Sequence, residues 1–169
     1  MTIHTTHPFA VPEDARDAAR QFRGRLVSPV TLWLSGQGPG RSGLTVSSLI
    51  VGLGEQPVVI GLLDPDSDLA LAEPETLTIS MLTPEDRRLA DAFAGVAPAP
   101  GGSFAQADFV DSPWGPVLDD RRSWLGARVL DTRSVGWSVE WVAQIEQVTL
   151  ADTAPLVHER GRYRGLVDG

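Results

Sequence analysis

Three short apolar runs near the N-terminus, separated by glycine-containing turns, constrain the fold of this chain most strongly. In the first, residues 29–35, apolar side chains recur with a period of two, which predicts a half-buried strand. Residues 44–51 and 58–63 follow as further runs of strand-forming residues. Because strands this close in sequence pair as antiparallel neighbours, the three together predict an antiparallel meander.

The rest of the chain adds more strands than helices. Further strands are predicted at residues 76–81, 123–131 and 138–149, the last with alternating apolar and polar residues that suit a sheet with one wet side. A short helix is predicted at residues 84–93, with Thr83 as its cap, and another at residues 12–23.

The element pattern predicts one mainly β domain. Six or more strands with few helices point to a barrel. The chain shows no internal repeat and no long linker, so a single domain over residues 1–169 is expected. Residues 1–10 have no periodicity and are expected to form a flexible arm.

Composition excludes several classes of function. A formal net charge of -8 argues against binding to nucleic acid or to an anionic membrane, which needs a clustered basic surface. No apolar run approaches the roughly 20 residues of a membrane span, and no signal peptide is evident, so a cytoplasmic location is expected. Because the chain lacks lysine and cysteine, Schiff-base, Walker-loop, thiolate and disulfide chemistry are excluded.

Two motif-like patterns favour ordinary structure. Residues 38–43 match G-x-G-x-x-G, but a β-rich segment follows where the dinucleotide fingerprint needs a helix, so a hairpin turn is expected. His4 and His7 have no third ligand nearby, and the alternating acids of residues 64–68 lack the glycine and glutamate of a calcium loop. No metal site is predicted.

One predicted strand carries hydroxyls where a buried strand normally carries apolar groups. Thr45, Ser47 and Ser48 lie in the run that opens at Gly43. These hydroxyls either face solvent and the neighbouring backbone, or they contact a polar or anionic ligand.

From about residue 25 to residue 164, the chain resembles the flavin reductase-like family, the FMN-binding split barrels. The resemblance rests on an ordered set of segments and not on any single motif. The segments are Pro-Val-Thr-Leu-Trp-Leu at 29–34, Gly-Leu-Thr-Val-Ser-Ser at 43–48, Pro-Val-Val-Ile-Gly-Leu-Leu at 57–63, Leu-Thr-Ile-Ser-Met-Leu at 77–82, Trp-Gly-Pro-Val-Leu at 114–118, Pro-Leu-Val-His at 155–158 and Gly-Arg-Tyr-Arg at 161–164.

The resemblance implies both a fold and an activity. The fold is an antiparallel split β-barrel with a few short helices, assembled as a homodimer with the flavin between subunits. The activity is that of an NAD(P)H:flavin oxidoreductase that supplies reduced flavin to a partner oxygenase. The implied cofactor is FMN, with FAD as the alternative, and NAD(P)H is the co-substrate. Because the flavin carries the hydride chemistry, no catalytic acid or base is required of the protein.

The resemblance also implies where the flavin binds. The 45–48 segment meets the isoalloxazine edge and the phosphate, the 63–67 segment closes over the phosphate, and a C-terminal arginine supplies charge. The residues implied are Thr45, Val46, Ser47, Ser48, Leu63, Asp64, Ser67 and Arg164.

The chain departs from the family at one position that concerns the nicotinamide. Where flavin-reducing members carry Gly-Asp-His, this chain has Gly136, Trp137 and Ser138, so Ser138 stands at the position of the histidine. The bulk of Trp137 is expected to fill part of the nicotinamide space. This departure favours an alternative function, a flavin- or small-ligand-binding barrel without reductase activity. A barrel without cofactor that acts through protein contacts is a third hypothesis.

Overall fold

The computed structural model describes residues 17–118 and 122–166. Over these residues the chain forms twelve strands and three α-helices. The strands are β1 Ser28–Pro29, β2 Thr31–Ser35, β3 Ser42–Val46, β4 Leu49–Gly52, β5 Val58–Leu63, β6 Thr76–Met81, β7 Phe109–Ser112, β8 Gly115–Leu118, β9 Trp124–Val135, β10 Ser138–Thr149, β11 Leu156–Glu159 and β12 Arg162–Gly165. The helices are α1 Ala18–Arg25, α2 Asp68–Leu71 and α3 Arg87–Phe93.

The central element is a seven-stranded antiparallel sheet that curls into a half-barrel. Its strand order is β3-β2-β6-β9-β10-β5-β4. The edge strands β3 and β4 are separated by only two residues of chain, Ser47 and Ser48. Two residues cannot cross a flat sheet of seven strands, so the sheet must curl until its edges meet at this corner. The mainly β split-barrel architecture expected from the sequence is therefore confirmed.

The corner changes one detail of the predicted meander. Residues 44–51 were expected to form a single strand, but they form β3 and β4, at opposite edges of the sheet. β2 does pair with β3, and β4 with β5, in antiparallel register. The strand breaks because the chain must turn out of the β3 ladder to join the far edge.

Strand β2 has apolar cores on both of its faces. The prediction of a half-buried strand was wrong, because all five residues of β2 are buried. Trp33 belongs to a core inside the barrel with Leu77 and Trp141. Leu32 and Leu34 belong to a second core, which α3, β8 and β11 complete on the outer face of the sheet.

The central tryptophan depends on a glycine in the opposite wall. A Cβ atom on Gly61 would lie 2.6 Å from the ring of Trp33. The Trp33 indole Nε1–H donates to the Thr31 hydroxyl (3.0 Å), and that hydroxyl donates to the Val46 carbonyl oxygen (2.6 Å). The barrel core is thus tied by hydrogen bonds to the last residue of β3, next to the corner.

The predicted helix after Thr83 is present in two parts. Pro84–Asp86 forms a 3-10 turn, and α3 continues from it. The Thr83 N–H donates to the Asp86 carboxylate at 2.7 Å, and Asp86 also pairs with Arg122, two residues before β9.

The N-terminal helix is shifted toward the C-terminus of its predicted range. It was expected at residues 12–23 and is found as α1, where the Arg20 N–H donates to the Asp17 carboxylate at 2.7 Å. The predicted start at Pro12 and the arm of residues 1–10 lie outside the described residues. Every helix in the described ranges is too short or too polar to cross a membrane.

Candidate functional site

Strand register gathers most of the predicted site residues at one end of the barrel. The Leu62 N–H donates to the Ser48 carbonyl oxygen at 2.9 Å, which joins the corner to the end of β5. On the other side of β5, Leu63 is paired with Val139. The next residues along these two antiparallel strands are Asp64 and Ser138, so they too lie at this end. We call this set, formed by Ser47, Ser48, Leu63, Asp64 and Ser138, the corner site.

The two serines of the corner site offer free hydroxyls. Ser47 and Ser48 are half-buried and stand outside both β3 and β4. Among the described residues, neither hydroxyl has a hydrogen-bond partner. A half-buried hydroxyl without a protein partner can donate to, and accept from, a bound ligand.

The other two residues of the predicted hydroxyl strand serve the fold. The Thr45 hydroxyl donates to the Ala90 carbonyl oxygen at 2.7 Å, which fastens β3 to α3. Val46 is buried in the barrel core, and its carbonyl oxygen accepts the hydrogen bond from Thr31 described above. The structure therefore separates Thr45 and Val46 in role from the serines that follow them.

The loop after β5 is held by its own hydrogen bonds. The Ser67 hydroxyl donates to the Asp64 carbonyl oxygen (2.7 Å) and accepts from the Ala70 N–H (3.2 Å), so it caps α2. The Asp64 carboxylate accepts from the Asp66 N–H at 2.9 Å. These bonds join the loop to α2. Because α2 contacts β3, the loop is held close to that strand.

Trp137 lies outside the barrel core, at the turn that precedes Ser138. Its side chain is 71% exposed, and the Arg20 guanidinium lies 5.5 Å from its ring centroid. The expectation that this side chain fills part of the nicotinamide space stays a prediction.

Arg164 is not gathered with the other predicted residues. It lies in β12, which belongs to a separate three-stranded sheet of order β1-β11-β12. Its guanidinium Nε is 2.9 Å from the Glu159 carboxylate on the neighbouring strand. No contact among the described residues links Arg164 to the corner site.

A second polar group, which the sequence did not suggest, joins the small sheet to α3. Burial and a hydrogen bond with the Asp91 carboxylate raise the pKa of Tyr163, so its hydroxyl keeps its proton at neutral pH. The ring of Tyr163 packs edge-on against His158, with 5.8 Å between centroids. Burial, together with the charge of Arg23, lowers the pKa of His158.

The described residues hold no group of three or more His, Cys, Asp or Glu side chains arranged to bind a metal. Thr31 and Trp33 support the corner, although neither was predicted from the sequence to do so. Their signal was a threonine two residues before a buried tryptophan, a spacing that places both on one face of a strand.

The family model described as flavin reductase like domain matches residues 23–167. No curated protein sequence matches the chain significantly.

Solved structures with the same fold cover nearly all of the chain. The NADH:FAD oxidoreductase SgcE6 of Streptomyces globisporus C-1027 is 19% identical with a TM-score of 0.79, covering 94% of this chain and 92% of that one. Nitrilotriacetate monooxygenase component B of Mycobacterium thermoresistibile is 18% identical with a TM-score of 0.77, covering 88% and 85%. Flavin reductase HpaC, solved with NADP+, is 20% identical with a TM-score of 0.75, covering 88% and 96%. At these identities the matches show the fold.

Proposed function

Because this chain belongs to the flavin reductase like domain family, we propose that it binds a flavin at the corner site and reduces it with a nicotinamide nucleotide. The observation that carries the proposal is the pair of free hydroxyls, Ser47 and Ser48, at the point where the barrel edges meet. The flavin is FMN in this proposal, and the unit that binds it is a single domain over residues 1–169.

The donor set of the corner suits the ring and the ribityl chain of a flavin. Ser47 and Ser48 supply hydroxyls, and the Asp64 carboxylate can accept from a ribityl hydroxyl. The bound flavin supplies the hydride acceptor. The protein's part is to hold the ring edge at the corner, to leave the Ser138 side open for the nicotinamide, and to keep both in a fixed relative orientation.

The rigidity of the corner supports this positioning role. The hydrogen-bond chain from Trp33 through Thr31 ends on the Val46 carbonyl oxygen, one residue before Ser47. On the other side, Ser48 is bonded to Leu62 of β5. A ligand group that binds between these anchors meets preorganised partners, so little ordering is needed on binding.

A partner protein and a second copy of the chain complete the proposal. One similar structure is named as a monooxygenase component, and we expect the reduced flavin made here to pass to a cytoplasmic oxygenase. The exposed apolar side chains Ile50, Leu53 and Leu62, on and beside β4 and β5, form a surface that suits a homodimer contact.

A flavin-binding protein without reductase activity is the second candidate. The observation that favours it is the absence of an imidazole at Ser138, where the chain offers only a hydroxyl to a nicotinamide. The two candidates make the same prediction for flavin binding and opposite predictions for turnover.

Steady-state oxidation of NADH and of NADPH, with FMN, FAD or riboflavin as acceptor, separates the two candidates. The reductase proposal predicts flavin-dependent turnover well above the rate without enzyme. Saturable flavin binding without such turnover would leave the binding protein as the function. If no flavin bound at about micromolar concentration, both candidates would fail.

A further inference from the structure

The loop beside the corner site is strongly acidic. Asp64, Asp66 and Asp68 follow β5 within five residues, and all three are exposed. The loop is held next to the site by the Ser67 cap and by the contact of α2 with β3. Any phosphate of a bound flavin that reached this loop would face three carboxylates.

Two of the hydroxyls beside the loop, those of Ser67 and Thr45, are already in use, and in the proposed function Ser47 and Ser48 serve the ring and the ribityl chain. A hydroxyl has one proton to donate. The proton of Ser67 goes to the Asp64 carbonyl oxygen at 2.7 Å, and that of Thr45 goes to the Ala90 carbonyl oxygen at 2.7 Å. A phosphate accepts hydrogen bonds and does not donate them when ionised, so neither side chain can serve it without breaking a bond of the fold.

Two arginines of the described residues are already paired with carboxylates. Arg164 pairs with Glu159 in the separate sheet, and the Arg133 guanidinium, three residues before the β9–β10 turn, pairs with Glu140 at 2.7 Å. Arg20 lies over Trp137 at the same turn.

We infer that this site recognises the uncharged ring and ribityl chain of the flavin and gains nothing from its phosphate, so that riboflavin binds at least as tightly as FMN. This inference rests on the proposed function, because it concerns the same site. Its physical basis is that the FMN phosphate carries nearly two negative charges at neutral pH and, at this loop, meets three carboxylates, while the Ser67 hydroxyl of the loop already donates to the Asp64 carbonyl oxygen.

Titration of the purified protein with riboflavin and with FMN, at low and at high salt, tests the inference. The riboflavin dissociation constant is expected to be equal to or lower than that of FMN. Added salt should tighten FMN binding by screening the repulsion and leave riboflavin binding unchanged. FMN binding about tenfold tighter than riboflavin binding, and weakened by salt, would overturn the inference while leaving the proposed flavin site intact.

A charge-removal variant adds a second readout. Asp66→Asn, in an exposed side chain, should tighten FMN binding about two- to fivefold, with riboflavin binding unchanged. Asp152→Asn is the matched control, since Asp152 is exposed and lies beyond the far end of β10, about 36 Å from Ser138 along the strand. If Asp66→Asn changed the dissociation constants of FMN and riboflavin equally, the inference would be contradicted. Failure of both flavins to bind would instead refute the proposed function itself.

Discussion

Ser47 and Ser48 differ from Thr45 in a way that only the folded chain reveals. All three carry hydroxyls within four residues, but the Thr45 hydroxyl is bonded to Ala90 and the serine hydroxyls have no partner among the described residues. The difference arises because β3 ends at Val46 and the serines leave its ladder. In the proposed function, the serines therefore meet the flavin while Thr45 supports α3.

A substitution at Ser138 directly tests whether the nicotinamide binds on this side of the proposed site. Ser138→His is expected to raise kcat/KM for NADH or NADPH about fivefold, because an imidazole there adds one hydrogen bond worth about 1 kcal/mol. Ser138 is only partly buried, which leaves room for the larger side chain. Thr149→His, which places the same group at the far end of β10, is the control and should leave kcat/KM unchanged. An unchanged kcat/KM for Ser138→His would argue against a nicotinamide at this position.

His158 gives a prediction for stability against pH. Burial lowers its pKa in the folded protein from the ordinary value of 6.5. Below that value the unfolded chain binds more protons than the folded one, so stability falls as the pH decreases through about 6.5. His158→Phe keeps a ring against Tyr163 and should flatten this part of the profile. Urea unfolding of both proteins at about pH 5.5 and about pH 7.5 measures the difference. Parallel profiles would contradict the prediction.

At the scale of single residues, the resemblance grouped side chains that the structure shows to differ in their contacts. Strand register brings four of the predicted residues, Ser47, Ser48, Asp64 and Ser138, to one corner although they come from separate segments of the sequence. The resemblance could not predict that Thr45 is engaged, because its partner Ala90 is 45 residues away. Whether each residue contacts a flavin stays a prediction.

At the scale of the elements, Gly61 of β5 allows this strand to pack closely against Trp33 of β2 across the barrel. A Cβ on Gly61 would lie 2.6 Å from the buried ring of Trp33, which is held in place by its bond to Thr31. Gly61→Ala should therefore lower the free energy of unfolding by about 1–3 kcal/mol. Gly54→Ala is the matched control, because nothing lies within 4 Å of its Cβ position. Chemical denaturation measures the free energy of unfolding of both variants. Equal decreases in the two variants would show that the contact with Trp33 does not determine the cost of a side chain at position 61.

The strands also show which features the alternation of apolar and polar residues does not predict. Alternation predicted the strand positions and the buried face of β10, on which Trp141 and Ala143 are buried. It failed for β2, because a period of two cannot distinguish a solvent-exposed face from one covered by distant elements such as α3 and β11. It also missed the break between β3 and β4, which depends on sheet closure and not on local sequence.

On the scale of the whole molecule, the proposed dimer gives a further prediction. Ile50 is 68% exposed and Leu53 is 91% exposed, next to Leu62 on the neighbouring strand. Ile50→Arg/Leu53→Arg should convert a dimer to a monomer, because two buried charges without partners oppose association. Sedimentation of the variant and of Val96→Arg, an exposed apolar control outside this surface, measures the outcome. A wild-type monomer would refute the dimer proposal directly.

The central claim is that the corner where β3 meets β4 binds a flavin, and a titration of one double variant tests it most directly. Ser47→Ala/Ser48→Ala removes both free hydroxyls, and Thr149→Ala removes an exposed hydroxyl at the other end of the barrel. Flavin fluorescence should show a dissociation constant raised about 5- to 150-fold for the double variant, with Tm unchanged, and no change for the control. Wild-type flavin affinity in the double variant would contradict the assignment of the site.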